Sequence, residues 1–175
     1  MAARSKIHII LTGGTIDSKY DGKSDTVVPR RHSIIPEFIR SIKLYEKFQF
    51  TELFMKDSRK ITKNDMKKIV KTLSDSRSRK IIILHGTYTM PETARFLKAN
   101  LDRRDQVIIL TGSMIPLEGF TMSDAGFNLG YSISQLDLLK PGVYVCMNGK
   151  TFLAEESMKE ISRGMFVSIF SRIKQ

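Results

Sequence analysis

Apolar runs alternate with amphipathic stretches along the chain, the rhythm of strand–helix units laid on a parallel sheet. The runs Ile7–Leu11, Phe50–Met55, Ile81–Leu84, Val107–Leu110 and Val143–Met147 are predicted strands. Three of them are near-continuous Ile, Val and Leu, as expected where helices cover both faces of a strand. Between the runs, the spacing predicts a first helix over about residues 34–43, burying Ile34, Ile35, Phe38, Ile39 and Ile42 behind Ser33 as N-cap. A second begins near Lys63, with Thr62 as N-cap and Asp65 at its positive end. Thr89-Met90-Pro91-Glu92 reads as a capping box with an early proline, opening a third. A fourth spans about 124–139, capped by Ser123 and closed by Pro141-Gly142. The expected fold class is α/β, a three-layer domain with a central, mostly parallel sheet of about five strands flanked by helices. A chain of 175 residues has room for one sizeable core, so residues 1–175 are expected to form a single domain.

Three of the predicted strands end alike. Leu11-Thr12-Gly13-Gly14-Thr15 follows the first, Leu84-His85-Gly86-Thr87-Tyr88-Thr89 the third, and Leu110-Thr111-Gly112-Ser113-Met114 the fourth. In an open parallel sheet, ligands bind beyond the carboxyl ends of the strands, so these loops are expected to meet in one crevice. Glycine lets backbone N–H groups approach a ligand closely, and threonine or serine supplies hydroxyls. A hydroxyl nucleophile beside an oxyanion hole is the equipment of acyl transfer. Phosphate binding is disfavoured, since neither G-x-x-x-x-G-K-[ST] nor G-x-G-x-x-G follows the first strand.

Composition narrows the remaining classes. A hydrophobic content of 41% and a mean hydropathy of −0.18 fit a soluble globular protein. No apolar run approaches the roughly 18 residues that span a bilayer. The run Ile7–Leu11 behind polar Met1–Lys6 is too short for a signal peptide, so a cytoplasmic location and no membrane partner are expected. The single Cys146 lies in an apolar run and reads as a buried structural thiol. His8, His32 and His85 form no ligand-spaced pair, so no metal is expected. The net charge of +11 raises the question of nucleic acid. Ten of the 29 Lys and Arg fall between Lys56 and Lys80, but Lys63, Lys67 and Lys71 recur opposite Met66, Ile69, Val70 and Leu73. That is the solvated face of an amphipathic helix, and nucleic acid is not the expected partner.

Five segments in order resemble the bacterial-type L-asparaginase family: Thr12-Gly13-Gly14-Thr15-Ile16, His85-Gly86-Thr87 with Thr89-Met90, Thr111 to Pro116, Ser123 to Leu129, and Met147-Asn148-Gly149. The resemblance runs from about Lys6 to Lys159. It implies an amidohydrolase that converts L-asparagine to L-aspartate and ammonia through a threonine nucleophile, without a cofactor. Residue by residue, it implies Thr15 as nucleophile, Tyr20 on a lid over about residues 16–29 as the group orienting it, and Thr87 with Lys159 as the second catalytic pair. Either Tyr20 or that pair can supply the base. Substrate contacts are implied at Gly14, Ser58, Gly86 and Ser113, with Ser58 on the α-carboxylate and Ser113 near the side-chain amide. Arg59, beside Ser58, is expected to strengthen the grip on that carboxylate, and Tyr88, beside Thr87, is expected at the substrate as well.

The chain departs from the family at two points. The family places aspartate after the second threonine, where this chain has Tyr88, which lacks the charge that meets an α-ammonium. Asp57, Glu155 and Glu156 are the candidate replacements. Only 16 residues follow Lys159 (175 − 159), so the chain resembles a short form of the family's N-terminal catalytic domain. The tail Ser162–Gln175 or a partner subunit is expected to complete the site, in a homodimer or larger homo-oligomer. Two other readings stay open: an ammonia-releasing subunit of a tRNA-dependent amidotransferase, and a non-catalytic amino-acid-binding sensor, which Tyr88 favours.

Overall fold

The computed structural model describes residues 6–170, so Met1–Ser5 and the last five residues of the tail Ser162–Gln175 lie outside the described residues. Within them, six strands form one sheet in the order β4-β1-β5-β6-β7-β8: β1 is Ile7–Gly13, β4 Phe48–Lys56, β5 Lys80–Leu84, β6 Val107–Thr111, β7 Gly142–Met147 and β8 Lys150–Leu153. The five predicted strands are the parallel ones. The sixth, β8, turns back antiparallel on β7 through Asn148-Gly149, both at positive φ (55° and 71°). Asn-Gly is the sequence signature of such a two-residue hairpin.

Alternation along the strands divides the core into two layers. Ile10, Ile81, Ile83, Ile108, Leu110 and Val145 pack with Ile69 and Leu73 of α2 (Lys63–Asp75) and Ala94 and Leu97 of α3 (Met90–Asn100). Ile9, Leu11, Ile82, Leu84 and Ile109 point the other way, onto Ile35 and Ile39 of α1 (Ile35–Ser41) and Leu129 of α4 (Ala125–Gln135). This is the expected three-layer arrangement, with period-2 burial on both faces. Lys63, Lys67 and Lys71 are exposed while Ile69 and Leu73 are fully buried, so the basic stretch is a solvated helix face. Cys146 is buried, and burial pushes its thiol up to about 11.

The helix starts fall into place unevenly. Thr62 and Asp65 form a reciprocal capping box, and Asp65 also takes the Lys56 ammonium at 2.8 Å. Ser33 is displaced from its predicted role, because α1 begins one residue later, behind Ile34; its hydroxyl accepts from Ile35 N and donates to buried Asp17. The predicted capping box at Thr89 does not form. Its hydroxyl instead donates to the Ser58 carbonyl at 2.9 Å, tying the start of α3 to the loop after β4. At the last helix Asp124, not Ser123, is the N-cap, and the helix ends at Gln135, four residues short of the predicted end.

Two hairpins complete the described chain: β2 (Ser18–Asp21) with β3 (Thr26–Pro29), and β9 (Ser157–Glu160) with β10 (Met165–Ser168). Neither is among the strands that the apolar pattern predicts. No helix among the described residues is long and apolar enough to cross a membrane.

Candidate active site

The loops after β1, β4 and β5 converge at the carboxyl end of the sheet, and a pocket of about 300 Å³ opens there. Gly14, Thr15, Ser58, Arg59, Gly86, Thr87 and Tyr88 line it, so seven of the ten predicted site residues share one wall. Convergence this close depends on absent side chains. A Cβ on Gly14 would stand 2.4 Å from Gly86 N, and one on Gly86 would stand 2.7 Å from Ser58 Oγ. Gly14 also holds φ 85° and ψ −176°, a backbone conformation that L side chains rarely adopt.

The hydroxyls of the three similar loops divide into two sets. Thr12 Oγ1 donates to the Leu84 carbonyl at 2.6 Å, and Thr111 Oγ1 to the Cys146 carbonyl at 2.7 Å. Both are buried ties between neighbouring strand ends. Thr15 and Thr87 instead line the pocket. Among the loop hydrogen bonds of the described residues, none is donated by the backbone N–H of either.

Lys159, on β9, reaches across 72 positions of sequence to donate from Nζ to Thr87 Oγ1 at 2.7 Å. Burial, and then the Arg59 guanidinium nearby, hold its ammonium below the ordinary lysine value. The Tyr88 ring contacts both cations, with Lys159 Nζ 4.2 Å and Arg59 Cζ 5.0 Å from its centroid. Arg59 is itself bound to Asp57, through Nη2 at 2.6 Å and Nε at 3.1 Å.

Not every predicted residue reaches the pocket. Tyr20 sits on the β2–β3 hairpin, where its hydroxyl donates to Asp25 and its ring packs edge-on to Phe120 at 5.3 Å. Val27 of that hairpin lines the pocket, and Tyr20 does not. Ser113 is fully buried and donates to the Ile115 carbonyl, while Met114 and Pro116 present the third loop to the pocket. Of the candidate replacements for the missing carboxylate, Asp57 lines the pocket. Glu155 pairs with Lys98, and Glu156 accepts from Leu153 N and Ser168 Oγ.

Beneath the pocket, buried His85 holds the central turn. Its Nδ1 lies 2.8 Å from the Gly86 carbonyl, which can only accept, so the ring is the Nδ1–H tautomer and Nε2 accepts from Thr93 at 3.0 Å. Burial pushes His85 down to about 4, against the opposing effect of the Gly86 bond. The folded chain therefore binds fewer protons than the unfolded one between about 6.5 and about 4. Stability falls as pH drops through that window, by on the order of 3 kcal/mol, and levels off below it. Buried His8 is shifted in the same direction, so a variant must isolate the His85 share. Denaturation midpoints near pH 7 and near pH 4.5 should differ less in His85→Gln than in the native chain; equal differences would refute the assignment.

A relay of side chains not anticipated from the sequence joins the hairpin of Lys159 to the loops. Asn148 Oδ1 accepts from Phe166 N at 3.0 Å, and Phe166 is the register partner of Lys159. Asn148 N donates to Asn128 Oδ1, and Asn128 Nδ2 donates to the Gly112 carbonyl and to Asp124. Asp124 in turn accepts from Met114 N and Ile115 N. Asn148→Gly keeps the positive φ and deletes the acceptor, leaving the Phe166 N–H unmatched at a cost of about 1–3 kcal/mol. The expected outcome is a denaturation midpoint lowered accordingly; an unaltered midpoint would mean that the relay does not hold the hairpin of Lys159.

Among the described residues no group of three or more His, Cys, Asp or Glu could hold a metal ion. The sequence model of the family described as asparaginase, N-terminal, matches residues 6–170. Among solved structures, the thermostable L-asparaginase from Thermococcus kodakarensis is 27% identical with a TM-score of 0.79, over 94% of this chain and 51% of that one. L-asparaginase I from Vibrio cholerae O1 biovar eltor is 26% identical with a TM-score of 0.82, over 95% and 52%. A curated relative from Metallosphaera sedula, a subunit of its glutamyl-tRNA(Gln) amidotransferase, is 32% identical over 132 residues, 73% of this chain and 30% of its own length. The chain thus spans about half the length of these solved structures and under a third of that relative. With the family's N-terminal model matching residues 6–170 of this chain and the same fold in the solved L-asparaginases, the chain belongs to the asparaginase family.

Proposed function

We propose that the chain is an asparaginase-type amidohydrolase, which hydrolyses the side-chain amide of L-asparagine, or an amide of the same length, to a carboxylate and ammonia. The observation that carries this reading is the 2.7 Å hydrogen bond from Lys159 to Thr87, which lines one pocket together with Thr15. Thr15 Oγ1 attacks the amide carbon, and its proton passes to the departing nitrogen. The C–N bond breaks, ammonia leaves, and water then cleaves the acyl ester and restores the hydroxyl. A threonine hydroxyl needs a positioned base. Lys159 acting through Thr87 supplies it, and its lowered pKa makes the neutral amine available at a lower pH than for a free lysine. The Thr15 and Thr87 N–H groups receive the oxyanion. Tyr20, held by Asp25 away from the pocket, is assigned to the lid and not to the base.

The homo-oligomer expected from the sequence belongs to the same proposal. A cleft of about 600 Å³ borders Tyr88 and Lys159, with exposed Ile161 on its rim, and offers a place for a second copy.

The test is ammonia release from L-asparagine, L-glutamine and their deaminated analogues at millimolar concentration, from neutral to alkaline pH. Turnover of any one supports the reading, and silence with all of them overturns it. Where turnover is present, kcat should rise with pH through a group below the usual lysine value. Arg59→Gln should move that limb to higher pH, since removing a neighbouring cation raises the lysine, although burial is the larger cause of its lowering; a limb moved to lower pH would exclude Lys159 as the titrating base. The curated relative supports a second reading, in which the released ammonia is passed to a partner that amidates a charged tRNA. Glutamine turnover that requires an added tRNA-binding partner would favour it.

A further inference from the structure

The charges around the pocket limit what its substrate can carry. Asp57 is the one acid among its lining residues, and both of its oxygens are engaged by Arg59, which donates to it from the backbone N at 2.8 Å as well as from the side chain. Acids on the surrounding elements are committed elsewhere: Asp25 to Tyr20, Glu118 to Arg30, and Asp17 to Ser33 and Ile34. Glu92 and Glu155 line the adjoining cleft, as Tyr88 and Lys159 do, with Glu155 paired to Lys98, and neither acid lines this pocket. Of the two cations against the Tyr88 ring, Arg59 lines this pocket, and Lys159 lies at the adjoining cleft and meets the site through its bond to Thr87. A substrate ammonium on the pocket side of Tyr88 would face the Arg59 guanidinium and, among the residues lining this pocket, no carboxylate without a partner. A substrate carboxylate would meet the Arg59 guanidinium beside Ser58.

We infer that the preferred substrate is a dicarboxylic acid monoamide that carries a carboxylate but no α-ammonium, of which succinamate is the simplest, and that Tyr88 determines this preference. The inference rests on the amidohydrolase reading. Hydrolysis breaks the same C–N bond and yields succinate and ammonia.

The experiment compares kcat/KM for succinamate and L-asparagine in the native chain, Tyr88→Phe and Tyr88→Asp. Succinamate should lead by about tenfold or more in the native chain and in Tyr88→Phe, which keeps an uncharged ring. Tyr88→Asp should reverse the order by restoring a carboxylate for the ammonium. Calorimetric binding of the two products supplies a readout independent of turnover: succinate should bind about tenfold tighter than L-aspartate to the native chain. Ammonia release led by L-asparagine, with L-aspartate bound at least as tightly as succinate, overturns the inference and leaves the amidohydrolase reading standing. No release from either amide, with succinate still bound the tighter, overturns that reading and retains the pocket's charge preference.

Discussion

Thr15→Ala is expected to lower ammonia release on the order of 10⁴-fold or more while leaving the fold and amide binding in place. Thr15 opens the single helical turn Thr15–Asp17 at the end of β1, and it lines the pocket where the sheet's loops converge. Among the described residues its hydroxyl makes no hydrogen bond, whereas the neighbouring Thr12 hydroxyl is spent on the Leu84 carbonyl. Removing Oγ1 therefore breaks no internal contact, and the stability of the variant should lie within about 0.5 kcal/mol of the native chain. This separates the proposed nucleophile from its proposed base, because Lys159→Met should also lower kcat, by about 10²–10⁴-fold, but leaves the Thr15 hydroxyl in place. The measurements are kcat, KM and a denaturation midpoint for each variant. A Thr15→Ala enzyme within tenfold of native turnover would remove Thr15 from the chemistry and shift attention to Thr87.

The largest expected effect on stability comes from Gly14→Ala, at about 3 kcal/mol or more. Two causes act together. The backbone at φ 85° and ψ −176° strains any residue with a Cβ, and the added carbon would stand 2.4 Å from Gly86 N and 2.5 Å from Gly86 Cα. Both contacts are backbone, so no side chain can swing away to relieve them. Separation of the loops after β1 and β5 is the only relief, and it would move Thr15 from Thr87, so activity should fall with stability. Urea midpoints for Gly14→Ala and for Gly130→Ala, whose added carbon would meet nothing within 4 Å, provide the comparison. Similar midpoints in the two variants would show that the loops do not need this close approach.

Much of this architecture is legible in the sequence because strands buried on both faces leave so little latitude. Ile81–Leu84 and Val107–Leu110 contain no polar residue, and both are fully parallel, two-faced strands. Thr62 with Asp65 names a helix start that forms as read. Other signals are present but serve a different purpose. Asn148-Gly149 stands in the sequence as part of a family motif, while its hairpin meaning, and hence β8, emerges only in the structure. The hairpin bearing Lys159 leaves no such trace. Ser157-Met158-Lys159-Glu160 has no apolar alternation, and its strand character comes from pairing with Met165–Ser168 and from the Asn148 anchor.

The sequence by itself determined the α/β layering, the parallel strands and the convergence of Gly-Thr loops at one end of the sheet, because burial periodicity and glycine placement are local properties. It also marked Thr15, Thr87 and Lys159 through family resemblance. Which hydroxyls face the pocket and which tie strands together was decided only by the tertiary structure. Thr12, Thr111 and Thr89 have the same chemistry as Thr15 and Thr87, and they differ only in whether a carbonyl from a distant strand or loop lies within reach. The same holds for charge. Tyr88 reads as a lost carboxylate in one dimension, and only packing brings Arg59 and Lys159, 29 and 71 positions away (88 − 59 and 159 − 88), against its ring. Electrostatic fields depend on distance in space, and no local pattern in the chain encodes that distance.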